Sequence, residues 1–307
     1  MPGSQYLVGS VTWYGVLVVA GMAAATFLAM REEKRVGLPR DTMIDLALFL
    51  LPCGVLGARL YYVLFAWREY AGQPFRVLYI WEGGLAIYGG IIAGAAVVLI
   101  FAYKRRLPLL TLLDCIVPGV ALAQGIGRWG NFFNQEAYGV LLPEAFHFFP
   151  AGVLIDGSWH MATFFYESAA DILIFAWLWH RRTKRTRPGD TFLTYLLLYG
   201  SVRAVIEGLR TDSLYGLIAG LRVSQALSVL LVMCVCVLTA RRTGTRRKFW
   251  LALPAAALVL SAVLAAANAR LALRTAALIL YGAAAIVCVA FLRLDGGKPC
   301  PAEESKT

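Results

Sequence analysis

Residues 109–139 read LLTLLDCIVPGVALAQGIGRWGNFFNQEAYG. The nineteen from Leu109 to Gly127 carry one ionisable side chain, Asp114, while the twelve that follow bring Arg128, Asn131, Asn134, Gln135 and Glu136 among glycines and aromatic rings. A bilayer core about 30 Å thick is crossed by roughly 20 apolar residues in helical form. The first part therefore reads as a membrane span, broken inside by Pro118 and Gly119, and the second as a polar ending at one membrane face.

Working outward, eight more stretches of that kind appear, near 8–30, 43–65, 84–103, 161–180, 190–209, 222–240, 249–267 and 273–292. With 60% apolar residues, 15% charged residues and a mean hydropathy of +0.68, the chain lies outside the usual composition of a soluble domain. The expected fold is all-α, a polytopic integral membrane protein. The first span has no Lys or Arg before it, so it lacks the basic opening of a cleaved secretory signal and reads as retained.

Charge sets the orientation. With the N-terminus outside, the inward connections are 31–42 (Arg31, Lys34, Arg35, Arg40), 104–106 (KRR), 181–187 (RRTKRTR) and 241–248 (RRTGTRRK). Every basic cluster falls on one side, which is the positive-inside pattern. The net charge of +11 is then explained by topology and anionic lipid headgroups, with no nucleic acid required. Five of the six cysteines, Cys53, Cys115, Cys234, Cys236 and Cys288, lie in expected spans; with Cys300 they show neither CxxC nor metal-ligand spacing, so no metal site is expected.

The outer connections are then 66–83, 128–160, 210–221 and 268–272. The long one, 128–160, carries FHFFP (146–150) and Trp159, aromatic residues suited to the headgroup region, and reads as an arm on the outer surface. Ionisable residues within spans are Asp45, Arg59, Asp114, Arg128, Glu167, Asp171, Arg203 and Glu207. Each costs about 2.5–3.5 kcal/mol at the bilayer centre on insertion scales, so the set must pair or line a wet cavity. In the sixth span Tyr199, Arg203, Glu207 and Arg210 recur at i, i+4, i+8 and i+11, one face of a helix. By this topology Tyr14, residues 81–90, residues 127–139, Tyr166 with Glu167, and the Arg203 face all lie toward the outer side.

Taken as residues alone, GRWGNFFNQEAYG (127–139) is either the cap of a helix end or a holder for a phosphate or glycerol head, since Arg and amides bind such groups and glycines admit close approach. The glycine pairs Gly83-Gly84 and Gly89-Gly90 likewise read as tight helix contacts or as the lining of a lipid site.

The same segment resembles the signature of the prolipoprotein diacylglyceryl transferases, G-R-x-G-N-F-x-N-x-E-x-x-G, and matches every specified position. The resemblance runs over roughly residues 6 to 245. WYG (13–15) resembles the family's N-terminal motif with its important tyrosine, here Tyr14, and WEGGLAIYGG (81–90) resembles its glycine-rich segment. Asp114 stands fourteen residues before Arg128, as in the family; Tyr166-Glu167 resembles the Tyr-Glu pair that opens the fifth span. YGSVRAVIEGLR (199–210) resembles the stretch bearing a critical Arg and Glu, here Arg203 and Glu207. Two departures stand out. Tyr88 occupies the place where one branch of the family has a His proposed as catalytic base, and HMATFFYE (160–167) lacks the Pro common after the His, so no role passes to His160.

The resemblance implies a seven-span core (1–248) with the outer arm at 128–160; the two additional spans read from hydropathy at 249–292 and a polar cytoplasmic tail at 293–307 lie beyond that core. It implies a multi-pass enzyme of the bacterial cytoplasmic membrane, active toward the outer face. Such an enzyme moves a diacylglyceryl group from phosphatidylglycerol to the lipobox cysteine in the signal peptide of a prolipoprotein, without metal or cofactor. Arg128, Arg203, Tyr14, Tyr88 and Glu207 are the expected catalytic residues. Asn131, Asn134, Glu136, Gly139, Gly83, Gly84, Gly89, Tyr199 and Arg210 join Arg128 in binding substrate, with Asp114, Tyr166 and Glu167 in support. The alternative from another class is a lipid-binding scaffold or transporter using the same polar cavity.

Overall fold

The computed structural model describes residues 5–9, 11–80, 83–184, 187–211 and 223–243. Most of them are helical: α1 (Trp13–Val36), α2 (Thr42–Phe65), the short α3 (Trp67–Tyr70), α4 (Ile87–Arg105), α5 (Leu109–Asn134), α6 (Thr163–Arg181), α7 (Asp190–Glu207) and α8 (Val223–Thr243). Seven of these fall on the first seven expected spans. Among the described residues α1, α2, α4 and α5 are long and apolar enough to cross a membrane. α2 and α4 turn Leu48, Phe49, Leu56, Leu60, Ile91, Ile92 and Leu99 outward, a surface that suits lipid and not water. The chain is a mostly helical membrane protein. The expected spans at 249–267 and 273–292 lie outside the described residues.

Two small hairpins interrupt the helical pattern. β1 (Tyr6–Val8) pairs antiparallel with β2 (Val11–Thr12) just before α1, and β3 (Gly152–Ile155) pairs with β4 (Ser158–Met161), Val153 facing His160 and Leu154 facing Trp159. Both are too short for a periodic sequence signal. The long connection therefore begins later than expected and is partly built: α5 continues through Asn134, so Arg128 to Asn134 form its last turns, and β3–β4 closes the arm.

The described residues fall into two compact units. The first comprises the described residues up to Ala25 and those from Val117 to Thr243. In it α6 packs on α7 and α7 on α8, with Leu193, Leu197, Val232 and Val235 forming one apolar core and Val117, Ala121, Ile174, Leu178 and Tyr195 another. α1 crosses α5 closely, because Gly21 faces the Ala123 backbone and Gly119 faces that of Ala25, where a Cβ would stand 2.7 Å from the Ala25 carbonyl oxygen.

The second unit comprises residues 26–116. α2 lies along α4 over a core that includes Met43, Leu46, Val98, Phe101, Leu112 and Cys115. The N-terminus of α2 is closed by Glu33, whose carboxylate accepts the Asp41 N–H at 2.9 Å and the Met43 N–H at 2.6 Å, a negative charge where the helix dipole favours one.

Candidate active site

The polar groups of the first unit gather where α5, α6 and α7 meet. Arg128 sits in the last turns of α5, Glu167 in the first turns of α6, and Arg203 and Glu207 one turn apart near the end of α7. Glu167 is 1% exposed on its side chain and joins the arginines: its Oε1 receives Arg128 Nη2 at 2.6 Å and Arg203 Nη1 at 2.7 Å. The other arm of the Arg203 guanidinium, Nη2, reaches Glu207 Oε2 at 2.7 Å, the i,i+4 partner expected from the face spacing. Both arginine side chains keep 18–19% of their surface open.

Two guanidiniums are thus fixed side by side by one buried carboxylate, and part of each side chain stays exposed. Each stays charged, and each can bind phosphate through two N–H groups. Holding both side chains in advance removes much of the ordering cost of gripping an anion. The sequence assigned Glu167 only a supporting place. Its part as the shared partner was not visible there, although a Glu at the opening of a span was the signal that could have suggested it.

Around this row the expected residues take distinct places. Asn131 Nδ2 and Asn134 Nδ2 both donate to Glu136 Oε1, at 2.8 and 3.3 Å, while the Glu136 N–H returns to the Asn131 carbonyl at 3.0 Å. This knot ends α5, so the cap reading describes what these three do among themselves. Gly139 is a packing position: a Cβ there would stand 2.8 Å from Thr163 Cγ2 and 2.9 Å from the Leu209 carbonyl oxygen. Its carbonyl accepts from His160 Nδ1 at 3.1 Å, and its backbone bridges to that of Arg210. Tyr14 lies against Gly130, which has no room for a side chain. Tyr166 donates to the Ala151 carbonyl at 2.8 Å and so ties α6 to the arm. Tyr199 stacks on Tyr195, whose hydroxyl donates to Gln124 Oε1 at 2.8 Å.

Tyr88, Gly83, Gly84, Gly89 and Asp114 belong to the second unit. Gly89 is a tight helix contact, since a Cβ would collide with Tyr61 and with the Gly57 backbone of α2. Gly83 and Gly84 both have positive φ, 88° and 66°, a conformation glycine adopts freely. A residue to which the sequence assigned no role organises them. Arg59, 3% exposed, uses all five N–H groups on carbonyls: Nε to Val77, Nη1 to Gly83 and Gly84, Nη2 to Arg76 and Tyr79, at 2.6–3.2 Å. Tyr88 stands in the first turn of α4, immediately after this loop. Asp114 lies near the start of α5, fourteen residues before Arg128 in the sequence.

Comparison with known proteins bears on what such an arrangement is for. Residues 5–241 match the family model described as prolipoprotein diacylglyceryl transferase. Proteins named phosphatidylglycerol--prolipoprotein diacylglyceryl transferase are similar to the chain over most of both lengths. That of Lactococcus lactis subsp. lactis is 45% identical over 235 residues, covering 75% of this chain and 89% of the relative. That of Streptococcus agalactiae serotype V is 44% identical over 229 residues, 73% and 88%, and that of Lactobacillus delbrueckii subsp. bulgaricus 42% over 254 residues, 78% and 90%.

Proposed function

As the chain belongs to the prolipoprotein diacylglyceryl transferase family, we propose that it transfers the diacylglyceryl group of phosphatidylglycerol to the lipobox cysteine of a prolipoprotein, forming a thioether and releasing glycerol 1-phosphate. It is a transferase with two membrane-bound substrates. The observation that carries the chemical reading is the pair of guanidiniums held on Glu167.

The step is an alkylation. The cysteine thiol gives up its proton, which passes to the departing phosphate or to solvent, sulfur bonds to the glycerol carbon, and the carbon–oxygen bond to phosphate breaks with its electron pair going to the phosphate oxygen. The charge that develops on the departing phosphate is what Arg128 and Arg203 stabilise, with Glu207 fixing the second arm of Arg203. A free thiol with pKa about 8.5 is a few per cent thiolate at neutral pH, and cations nearby raise that fraction. Tyr14 and Tyr88 are assigned by resemblance to substrate positioning or proton relay. Asn131, Asn134 and Glu136 act by shaping the end of α5 that presents Arg128.

The core has seven spans with the N-terminus outside, supported by the four basic clusters that fall on one side. The site then faces the outer side of the bacterial cytoplasmic membrane, and residues 249–292 add two spans to the family core. The test mixes purified protein, phosphatidylglycerol and a lipobox peptide and follows the peptide mass. A diacylglyceryl mass gain that disappears when the peptide cysteine is replaced is the expected result. Phosphatidylglycerol binding without mass gain overturns it in favour of a lipid-binding scaffold.

A further inference from the structure

α6 carries a third carboxyl that the reaction as described does not use. Asp171 lies one turn after Glu167, on the same helical face. It is fully buried, and neither carboxyl oxygen meets a hydrogen-bond partner among the described residues. α5 runs directly against it at Gly125, where a Cβ would stand 3.5 Å from Asp171 Cβ. The charged groups that act on it are Arg128, Glu167 and Arg203, and from α7 the hydroxyls of Tyr195 and Tyr199 lie within its electrostatic reach.

Charge decides what such a group can do. Arg128 and Arg203 are balanced by their ion-pair partners Glu167 and Glu207, so these four side chains sum to zero, and an ionised Asp171 one turn from Glu167 adds a negative charge beside them. An acidic residue buried in a span is costly and is kept for function as a rule. Repulsion between an ionised Asp171 and an anion on the arginines is weakly screened because Asp171 itself is shut off from solvent. The lipid headgroup is a phosphodiester with one negative charge. The released glycerol phosphate is a monoester that takes a second charge with a pKa near 6.

We propose that Asp171 is a specificity-determining residue for the phosphate held by Arg128 and Arg203: its ionised carboxyl weakens the binding of a doubly charged anion relative to a singly charged one, so that the diester is favoured and the monoester product is released after transfer. The inference rests on the transferase reading and on the arginine pair as phosphate holder. It gives a reason for a buried acid beside an anion site, where an apolar residue would pack without cost.

The test measures binding of two soluble probes to the full-length protein in detergent by calorimetry at pH 8: glycerophosphoglycerol, a diester, and glycerol 1-phosphate, a monoester. The unmodified protein is expected to bind the diester more tightly. Asp171→Asn and Asp171→Ser are each expected to tighten monoester binding by about ten-fold and to change diester binding much less. A variant that merely loosens the packing weakens both. An unchanged ratio of the two dissociation constants overturns the inference, as does tighter binding of the monoester by the unmodified protein, a comparison that stands even if neither variant accumulates. Absence of peptide lipidation in the parallel mass assay, with the probe preference intact, marks failure of the transferase reading and leaves the charge preference standing.

Discussion

At the scale of single residues, the row Arg128, Glu167, Arg203, Glu207 ranks the side chains. Arg128→Ala and Arg203→Ala should each lower turnover in the peptide mass assay by about 10²-fold or more, as the loss of a charged donor to a developing oxyanion does. Arg210→Ala should cost far less; activity of Arg203→Ala equal to that of the unmodified protein would sink the scheme. Glu167→Gln removes the charge that both guanidiniums share. Its loss should be severe and strongly non-additive with Arg203→Ala, since the two act through one contact. A double variant whose loss equals the product of the single losses would show that the carboxylate does not hold the pair. Tyr88→Phe tests the other end of the assignment: a modest fall in turnover is expected if the hydroxyl positions or relays, and abolition would make Tyr88 the base.

At the scale of elements, glycines decide which helices approach. The sequence offered two readings for Gly89, and the crossing of α2 over α4 selects tight contact. Gly89→Val places methyl groups where the Gly57 backbone and Tyr61 already stand, and overpacking of that kind costs about 1–3 kcal/mol. The expected outcome is a lower melting temperature in detergent, whereas an unchanged melting temperature would mean that the helices separate freely. The arm shows the converse. Its aromatic residues were legible as a surface segment, but β3 and β4 are four residues each and pair through backbone groups, so composition carried no trace of them. The same holds for the Asn131, Asn134 and Glu136 knot. Its residues were read as the start of the outer connection, whereas Asn131 and Asn134 belong to the end of α5, and their hydrogen bonds to Glu136 depend on the turn that follows Asn134.

At the scale of the whole molecule, the family match ends at residue 241 and every motif discussed lies before it. A chain cut after residue 248 should therefore keep transfer activity in the peptide assay, at a rate within a few-fold of the full chain. Complete loss in a truncated protein that still melts cooperatively would give the segment 249–292 a part in catalysis. The exposed leucine, isoleucine and phenylalanine residues of α2 and α4 also fix how the protein must be handled. Without lipid or detergent that surface has no favourable solvent.

Hydropathy by itself determined that the chain is helical and membrane-embedded, because each span must satisfy its own backbone hydrogen bonds and bury itself in lipid, and both demands are written locally in some twenty residues. The motifs GRWGNFFNQEAYG and YGSVRAVIEGLR likewise supplied the candidate side chains, because Arg, Glu and amide groups inside an apolar chain are visible in the spelling alone. Only the tertiary structure decided how those side chains divide the work. Arg128, Glu167, Asp171 and Arg203 come from three helices separated by as much as 75 residues, and no local pattern states that one buried carboxylate takes both arginines while its neighbour one turn along takes neither hydrogen bond. Ion pairing in a low-dielectric interior depends on distances of a few ångströms between elements, and those are set by helix packing.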